Sequence, residues 1–163
     1  TSLADLTTLH NAQTGVAAAL DSAARADLEA HSVEEQLSAP ANADLSTQLA
    51  PYVAQLKALL GGRGRRGQAA AATAGNQGPG IDEVNGEAMG LYAELTQADQ
   101  PATAVQLAAV TRVEHDAQAV VPAWEAFRKN QLPAINQLLQ NAGKPAIDPA
   151  QQPSNMPDGG DQE

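Results

Sequence analysis

The chain has 163 residues and a formal net charge of -10, from 19 acidic and nine basic side chains. This acidic balance argues against a nucleic-acid-binding protein, which would present a basic face to neutralise phosphates. The chain has no Cys, which excludes disulfides and thiolate metal sites, and its longest apolar runs fall far short of the roughly 20 residues that span a bilayer.

The apolar residues are mostly small and do not follow a strand pattern. Ala dominates them, and the aromatic residues are Tyr52, Tyr92, Trp124 and Phe127. Val, Ile and aromatic residues never form the period-two alternation of a half-buried strand. The sequence therefore predicts an all-α protein, a bundle of about four helices with long first and last helices. Because Ala buries little area, these helices must pack closely along their length.

The first predicted helix begins near the start of the chain and is more than about thirty residues long. Ser2 is a suitable N-cap, and Asp5 lies in the first turn, where a carboxylate meets the helix dipole favourably. Pro40 ends the helix after Ser38. The predicted apolar stripe, at three- and four-residue steps, is Leu3, Leu6, Leu9, Gln13, Val16 and Leu20, continued by Leu28, His31 and Leu37.

A second helix follows the turn SAPANAD, with Asn42 or Asp44 as its N-cap. Pro51 either kinks this helix or marks its first turn. Its predicted apolar face is Leu45, Leu49, Val53, Leu56 and Leu60. Residues 61–80 then form a Gly-, Arg- and Ala-rich connection to the third helix, which is unusually long for a compact domain.

The third helix is predicted from Ile81 to Ala98. Its predicted buried side is Ile81, Val84, Ala88, Leu91, Tyr92 and Leu95. After it, Thr103 precedes Gln106 at the three-residue spacing of a capping box, which marks the start of the last helix.

The last helix is predicted to run from Thr103 to about Asn141 and to end before Gly143 and Pro145. Pro122 and Pro133 lie inside it, close to three full turns apart, so we expect one curved helix in which their bends add. Its predicted apolar positions are Leu107, Val110, Ala117, Val121, Trp124, Phe127, Ile135 and Leu138. The domain then spans residues 1–148, and residues 149–163 form a Pro-, Gln- and acid-rich tail.

This layout resembles the helical region that follows the β-propeller in bacterial sortilin-like proteins with BNR repeats, often labelled glycosyl hydrolases. The resemblance rests on three segments in order: TTLHNAQTGVAAALDSAARADLEAH, VNGEAMGLYAELTQADQPATAVQ and AWEAFRKNQLPAINQLLQNAGKPAI. Two features depart from that pattern: the 61–80 connection is enlarged, and no Ser-x-Asp-x-Gly Asp-box of a propeller is present. The resemblance implies a C-terminal helical domain of a secreted, periplasmic or cell-surface protein, with a β-propeller of the same or an associated polypeptide as its partner.

The sequence contains several groups of neighbouring polar residues but predicts no catalytic, cofactor or metal site. Glu114, His115 and Asp116 are adjacent on a helix, so their side chains diverge and cannot share one ion. His10 and His31 have no His partner one turn away, which favours surface or half-buried roles. The acidic residues Asp27, Glu29, Glu34 and Glu35 lack the Glu-x-x-His pairs of a dimetal bundle and are interpreted as a solvated face.

Two further groups are candidates for contact with other proteins or with the core. Arg63, Arg65 and Arg66 could pair with an acidic partner or a phosphate, or could simply solubilise the connection. The large residues Trp124, Phe127 and Tyr92 are predicted core anchors.

The expected function is a non-catalytic structural or protein-interaction domain that accompanies a secreted β-propeller, without nucleic acid or a membrane span. The alternative is an accessory part of a glycoside hydrolase whose arginine-bearing connection contributes to the active site. A ligand-carrying bundle is the least favoured hypothesis, because the sequence lacks pairs of ligating residues of the Glu-x-x-His type.

Overall fold

A computed structural model describes residues 2–61, 79–98 and 100–151. Over these residues the chain forms α1 (Leu3–Leu37), a 3-10 helix (Pro40–Leu45), α2 (Ser46–Leu60), α3 (Ile81–Gln97), α4 (Ala104–Asn130) and α5 (Leu132–Asn141). A single residue separates α4 from α5. The predicted all-α bundle with long first and last helices is confirmed.

Helix α1 begins as predicted but buries a different stripe. The Asp5 amide donates to Ser2 Oγ at 3.1 Å and the Ser2 amide donates to Asp5 Oδ2 at 2.9 Å, which forms a capping box. The predicted stripe is wrong at its start, because Leu3 and Leu6 are 82% and 52% exposed. The buried face is mostly alanine: Ala12, Val16, Ala19, Ala23, Ala26, Ala30, Val33 and Leu37. Small side chains there let two neighbouring helices approach α1 closely.

Helix α1 packs between α3 and α4 and runs antiparallel to the first and parallel to the second. The pairs that fix these directions are Gln13 with Leu95 and His31 with Asp82 for α3, and Gly15 with Glu114 and Glu29 with Trp124 for α4. Helix α2 packs against all three helices. One hydrophobic core therefore runs along α1 and joins every helix.

Helix α2 starts later than predicted. Neither Asn42 nor Asp44 caps it, because both lie in the 3-10 helix, where the Asn42 side chain donates to the Gln36 carbonyl at 2.8 Å. The α-helix begins at Ser46 and continues past an exposed Pro51. Most of its predicted apolar face is buried: Leu45, Leu49, Leu56 and Leu60, with Val53 half-buried.

The two ends of the 61–80 connection touch each other. Gly61 follows the last residue of α2, and Gly80 is the N-cap of α3. A Cβ atom on Gly80 would overlap the Gly61 Cα and the Leu60 carbonyl oxygen, so only glycine fits at position 80. This backbone contact fixes the first turn of α3 beside the last turn of α2.

The predicted last helix is present as two segments. Its start is confirmed: the Gln106 amide donates to Thr103 Oγ1 at 3.2 Å and the Thr103 amide donates to Gln106 Oε1 at 2.9 Å. Helix α4 runs through Pro122 without interruption. The predicted course to Asn141 is followed by α4 and α5 together, with an interruption only at Gln131. The Gln131 backbone is still right-handed helical and its amide donates to the Phe127 carbonyl at 2.8 Å, while Pro133 lies in the first turn of α5. Proline has no amide hydrogen for the carbonyl four residues earlier, which weakens the helix there.

Helix α5 ends at the predicted glycine. Gly143 has φ +70°, its amide donates to the Gln140 carbonyl at 3.0 Å, and the Lys144 amide donates to the Leu139 carbonyl at 2.8 Å. These two bonds form a Schellman cap, which satisfies carbonyls at the helix end.

Residues 144–151, which we name the C-terminal strap, return across α1. The Gln36 side chain donates to the Asp148 carbonyl at 2.7 Å and accepts from the Asp148 amide at 3.0 Å. Ser32 Oγ donates to the Gln151 carbonyl, and Ile147 is buried. Contacts with the bundle thus extend to Gln151, while residues 152–163 lie outside the described range.

Two of the three predicted core anchors are buried. Trp124 and Phe127 are 1% and 5% exposed, and their rings stack with centroids 5.8 Å apart. The prediction for Tyr92 is wrong, since it is 37% exposed. Tyr92 is at the edge of the buried face of α3, one residue after Leu91, so its ring extends toward solvent.

Candidate functional site

The structure brings together three titratable residues that the sequence did not connect. The nearest ligand atoms of Asp27, His31 and Asp82 all lie within 4.8 Å of one another. His31 Nε2 is 2.8 Å from Asp82 Oδ1 and 3.4 Å from Asp27 Oδ1. We name these three residues the α1–α3 cluster.

Local helical geometry and inter-helix register place the cluster. Asp27 and His31 are four residues apart on α1, so their side chains project from one face. Asp82 lies in the first turn of α3, directly after the buried Ile81. The Gly61–Gly80 contact and the antiparallel packing of α1 and α3 set the height of this turn beside His31.

Two neighbours orient the cluster. Asn85, one turn after Asp82 on α3, donates through Nδ2 to Asp27 Oδ2 at 3.2 Å. Glu34 Oε2 lies 3.7 Å from His31 Nδ1, on the opposite side of the ring from Asp82. The other carboxylate oxygen of Asp27, Oδ1, is buried and has no hydrogen-bond donor among the described residues. One oxygen of Asp27 is therefore held in place while the other faces His31.

Electrostatics in the cluster favour bound protons. Burial, together with the neighbouring Asp82 carboxylate, raises the pKa of Asp27 to about 7. Burial alone would lower the pKa of His31, but the carboxylates of Asp82, Asp27 and Glu34 outweigh it and raise that pKa. The single imidazole of His31 therefore cannot neutralise the carboxylates of both Asp27 and Asp82.

The cluster was not predicted from the sequence, because His31 has no His partner one turn away and the two carboxylates lie on different helices. The i, i+4 spacing of Asp27 and His31 was the available signal. Asp82 is 51 residues further along the chain, and only the register of two helices brings it to His31. The reading of the acidic residues of α1 as a solvated face is also wrong in part, since the side chains of Asp27 and Glu29 are 23% and 19% exposed.

Glu29 belongs to a second polar group, at the interface of α1 and α4. Its Oε2 accepts from Trp124 Nε1 at 2.8 Å and lies 3.2 Å from Arg128 Nη1. Arg128 Nη2 also donates to Glu125 Oε2 at 2.7 Å. In this group the Arg128 guanidinium neutralises the half-buried carboxylate of Glu29 and the Trp124 indole donates a hydrogen bond to it, so we interpret the group as a structural ion pair.

The adjacent acidic and histidine residues of α4 do not meet at one point. The His115 side chain is 81% exposed, and its Nδ1 lies 3.3 Å from Asp116 Oδ1. Glu114 instead turns toward Gly15 on α1. There it borders an open groove of about 400 Å³ between α1 and α4, whose other lining includes Ala19, Ser22, Ala117 and Pro122.

The solvent side of α3 carries small and apolar residues at helical spacing. Gly86, Met89, Gly90 and Ala93 are all exposed, with Met89 at 56%. A Cβ atom on Gly86 or Gly90 would meet nothing within 4 Å. We name these four residues the α3 outer face.

Three predicted contact residues lie beyond the described part of the chain. Arg63, Arg65 and Arg66 fall within residues 62–78, so their interaction with a partner or an active site stays a prediction. Over the described helices, none is both long and apolar enough to traverse a bilayer.

Comparisons with known proteins found no relative of this chain. No protein-family model matches it, and neither the curated proteins nor the solved structures contain a significant match.

Proposed function

We propose that this chain is a non-catalytic helical domain that docks against a β-propeller of the same or an associated polypeptide outside the cytoplasm. The α3 outer face is the contact surface in this proposal. The observation that carries it is the pair of exposed glycines, Gly86 and Gly90, in the middle of a well-formed helix.

Glycine in an exposed helix interior is unfavourable. Each glycine destabilises a helix by about 1 kcal/mol relative to Ala, because it loses more backbone entropy on folding. Gly15 and Gly80 each lie against another part of this chain, whereas nothing within 4 Å opposes a side chain at Gly86 or Gly90. No contact within the described fold therefore requires glycine at these two positions. Close approach of a partner backbone would require it.

The neighbouring residues suit such a contact. Gly86, Gly90 and Ala93 project to one side of α3 at four- and three-residue spacing and leave its backbone accessible. Met89 adds a flexible apolar side chain that adapts to a partner surface. These residues belong to the segment VNGEAMGLYAELTQADQPATAVQ, one of the three on which the resemblance to propeller-associated domains rests.

Site-specific photo-crosslinking tests the proposal, either in the full-length polypeptide that contains this chain or in an extract of the cells that produce it. A photoreactive residue in place of Met89 should give cross-links to peptides from a β-propeller, identified by mass spectrometry. The matched control carries the same residue in place of Ala119, which is exposed on the outward side of α4. Equal yields of propeller peptides from both positions, or none from position 89, would contradict the proposal.

A further inference from the structure

We propose that the α1–α3 cluster is a binding site for a first-row divalent transition-metal ion such as Zn²⁺. Asp27, His31 and Asp82 would each supply one ligand atom, and solvent would supply the fourth. The bound ion would connect the middle of α1 to the first turn of α3. This inference is independent of docking through the α3 outer face.

The distances suit a small tetrahedral ion. Zinc takes imidazole nitrogen and carboxylate oxygen at about 2.0–2.2 Å, so neighbouring ligand atoms in a tetrahedron lie about 3.3 Å apart. His31 Nε2 and Asp27 Oδ1 are 3.4 Å apart. The 2.8 Å between His31 Nε2 and Asp82 Oδ1 needs to lengthen by about half an ångström, and Asp82 is exposed enough to move.

The ligands are already oriented by neighbouring groups. Asn85 holds Asp27 through its Oδ2, so the buried Oδ1, which lacks a hydrogen-bond donor among the described residues, faces His31. Glu34 Oε2 lies 3.7 Å from His31 Nδ1, within ion-pair range but beyond hydrogen-bond distance, and its charge favours the ring orientation that directs Nε2 at the two carboxylates. In metal sites such outer groups fix the tautomer and orientation of the ligands.

The charge balance also favours a cation. Two carboxylates of the cluster approach the same nitrogen, His31 Nε2, and no Lys or Arg side chain is within ion-pair distance of Asp27 or Asp82 in the described residues. A divalent ion would neutralise both carboxylates. The imidazole ligand selects zinc and its first-row neighbours over calcium and magnesium, which prefer oxygen ligands throughout.

Solvent has access to the site. The side chains of His31 and Asp82 are 42% and 44% exposed, whereas that of Asp27 is 23% exposed. An ion can therefore enter from the solvent side and keep a water ligand there, while Asp27 forms the inner wall. Three protein ligands with one open position is a common arrangement for zinc.

Titration of the chelator-treated chain with Zn²⁺ tests the proposal. At about 100 µM ZnCl₂, a site with a Kd of about 1 µM raises Tm by about 5 °C, and calorimetry should report one ion per chain. About 100 µM CaCl₂ should leave Tm unchanged. Cobalt provides a spectroscopic check, because tetrahedral Co²⁺ with nitrogen and oxygen ligands absorbs visible light more strongly than the aqueous ion.

Variants locate the ion. His31→Ala and Asp82→Asn should each weaken Zn²⁺ binding at least about tenfold. Asp82→Asn keeps the size of an exposed side chain and therefore serves even if His31→Ala folds poorly. His115→Ala is the matched control, because His115 also lies beside an aspartate but is 81% exposed and belongs to α4.

The proposal is overturned if the wild-type chain binds no Zn²⁺ below about 100 µM. It is equally overturned if Asp82→Asn binds as tightly as wild type, or if His115→Ala loses binding to the same extent. Retained binding in His115→Ala together with loss in the two cluster variants would support it, whatever the outcome of the crosslinking at Met89.

Discussion

Helix α1 contributes one acid to each of its two long interfaces, and the two acids meet opposite surroundings. Glu29 faces α4, where Trp124 and Arg128 donate to it. Asp27 faces α3, and its nearest charged neighbours are Asp82 on α3 and His31 one turn further along α1. A half-buried carboxylate is stable when donors and positive charge surround it. Glu29 has an arginine and an indole donor, whereas Asp27 has one amide donor, Asn85, and shares the His31 imidazole with a second acid, Asp82. The α1–α4 interface is therefore complete by itself, whereas the α1–α3 interface has room for an added cation.

The largest effect is expected from breaking the complete interface. Trp124→Ala should lower the free energy of unfolding by about 3–5 kcal/mol, because it leaves a cavity beside Phe127 and removes the indole donor to Glu29. Urea denaturation followed by far-UV circular dichroism measures the change. Tyr92→Ala is the aromatic control and should lose less than about 1 kcal/mol, since Tyr92 is exposed. Similar losses in both variants would contradict the assignment of Trp124 as the anchor.

Substitutions on the α3 outer face should stabilise the fold rather than destabilise it. Gly86→Ala and Gly90→Ala should each raise the free energy of unfolding by about 1 kcal/mol, since Ala is the better helix former and no atom opposes its methyl group. The same variants should weaken cross-linking from Met89 if a partner packs closely there. Gly15→Ala is the contrasting substitution, because its methyl group would overlap Glu114 and the gain should be smaller or reversed. A loss of stability in Gly86→Ala would be incompatible with an open outer face.

Removing the positive charge of Arg128 from the α1–α4 interface should have a moderate effect on stability. Arg128→Met keeps the apolar stem but leaves Glu29 with the indole donor, and it should lower the free energy of unfolding by about 1 kcal/mol, because Arg128 is 41% exposed. Arg25→Met is the control. Arg25 pairs with Asp21 across 3.5 Å of open surface, so its loss should change stability by less than about 0.5 kcal/mol.

The smallest effect concerns the incomplete interface and depends on pH. In metal-free protein the pKa of Asp27 is about 7 when folded and 3.8 when unfolded, so the folded state binds the extra proton and its advantage is lost as pH rises from about 4 to 7. His31 acts in the same direction, because its raised pKa stabilises the folded state below about 6.5 and this contribution is lost above it.

Asp27→Asn should therefore be more stable relative to wild type at pH 8 than at pH 5. We expect a difference below about 1 kcal/mol, since the partners Asp82, His31 and Glu34 are partly exposed and screened by solvent. Thermal denaturation in the presence of chelator measures it. Asp21→Asn, at an exposed position of the same helix, is the control variant, and an equal difference between pH 5 and pH 8 there would refute the assignment to Asp27.

Local signals predicted three helix ends and failed at the start of α2, whereas contacts between distant helices were not predicted at all. The capping boxes at Ser2 and Thr103 and the glycine at 143 depend on neighbouring residues, so they can be predicted from spacing alone. The Leu stripe of α1 was misleading because Ala occupies several faces of that helix, and a pattern of Ala does not show which face is buried. The proximity of Asp27 and Asp82 depends on the axial register of α3 against α1. This register cannot be predicted from the sequence of either helix alone.

The contact between Gly61 and Gly80 has a consequence for how the protein can change. Because Gly61 and Gly80 are in backbone contact, the ends of α2 and α3 are held together whatever the number of residues between the two glycines. Doubling the length of such a closed loop costs only about 0.6 kcal/mol. The packing of α2 against α3 should therefore tolerate a change in the number of residues between the two glycines, provided that both glycines are retained.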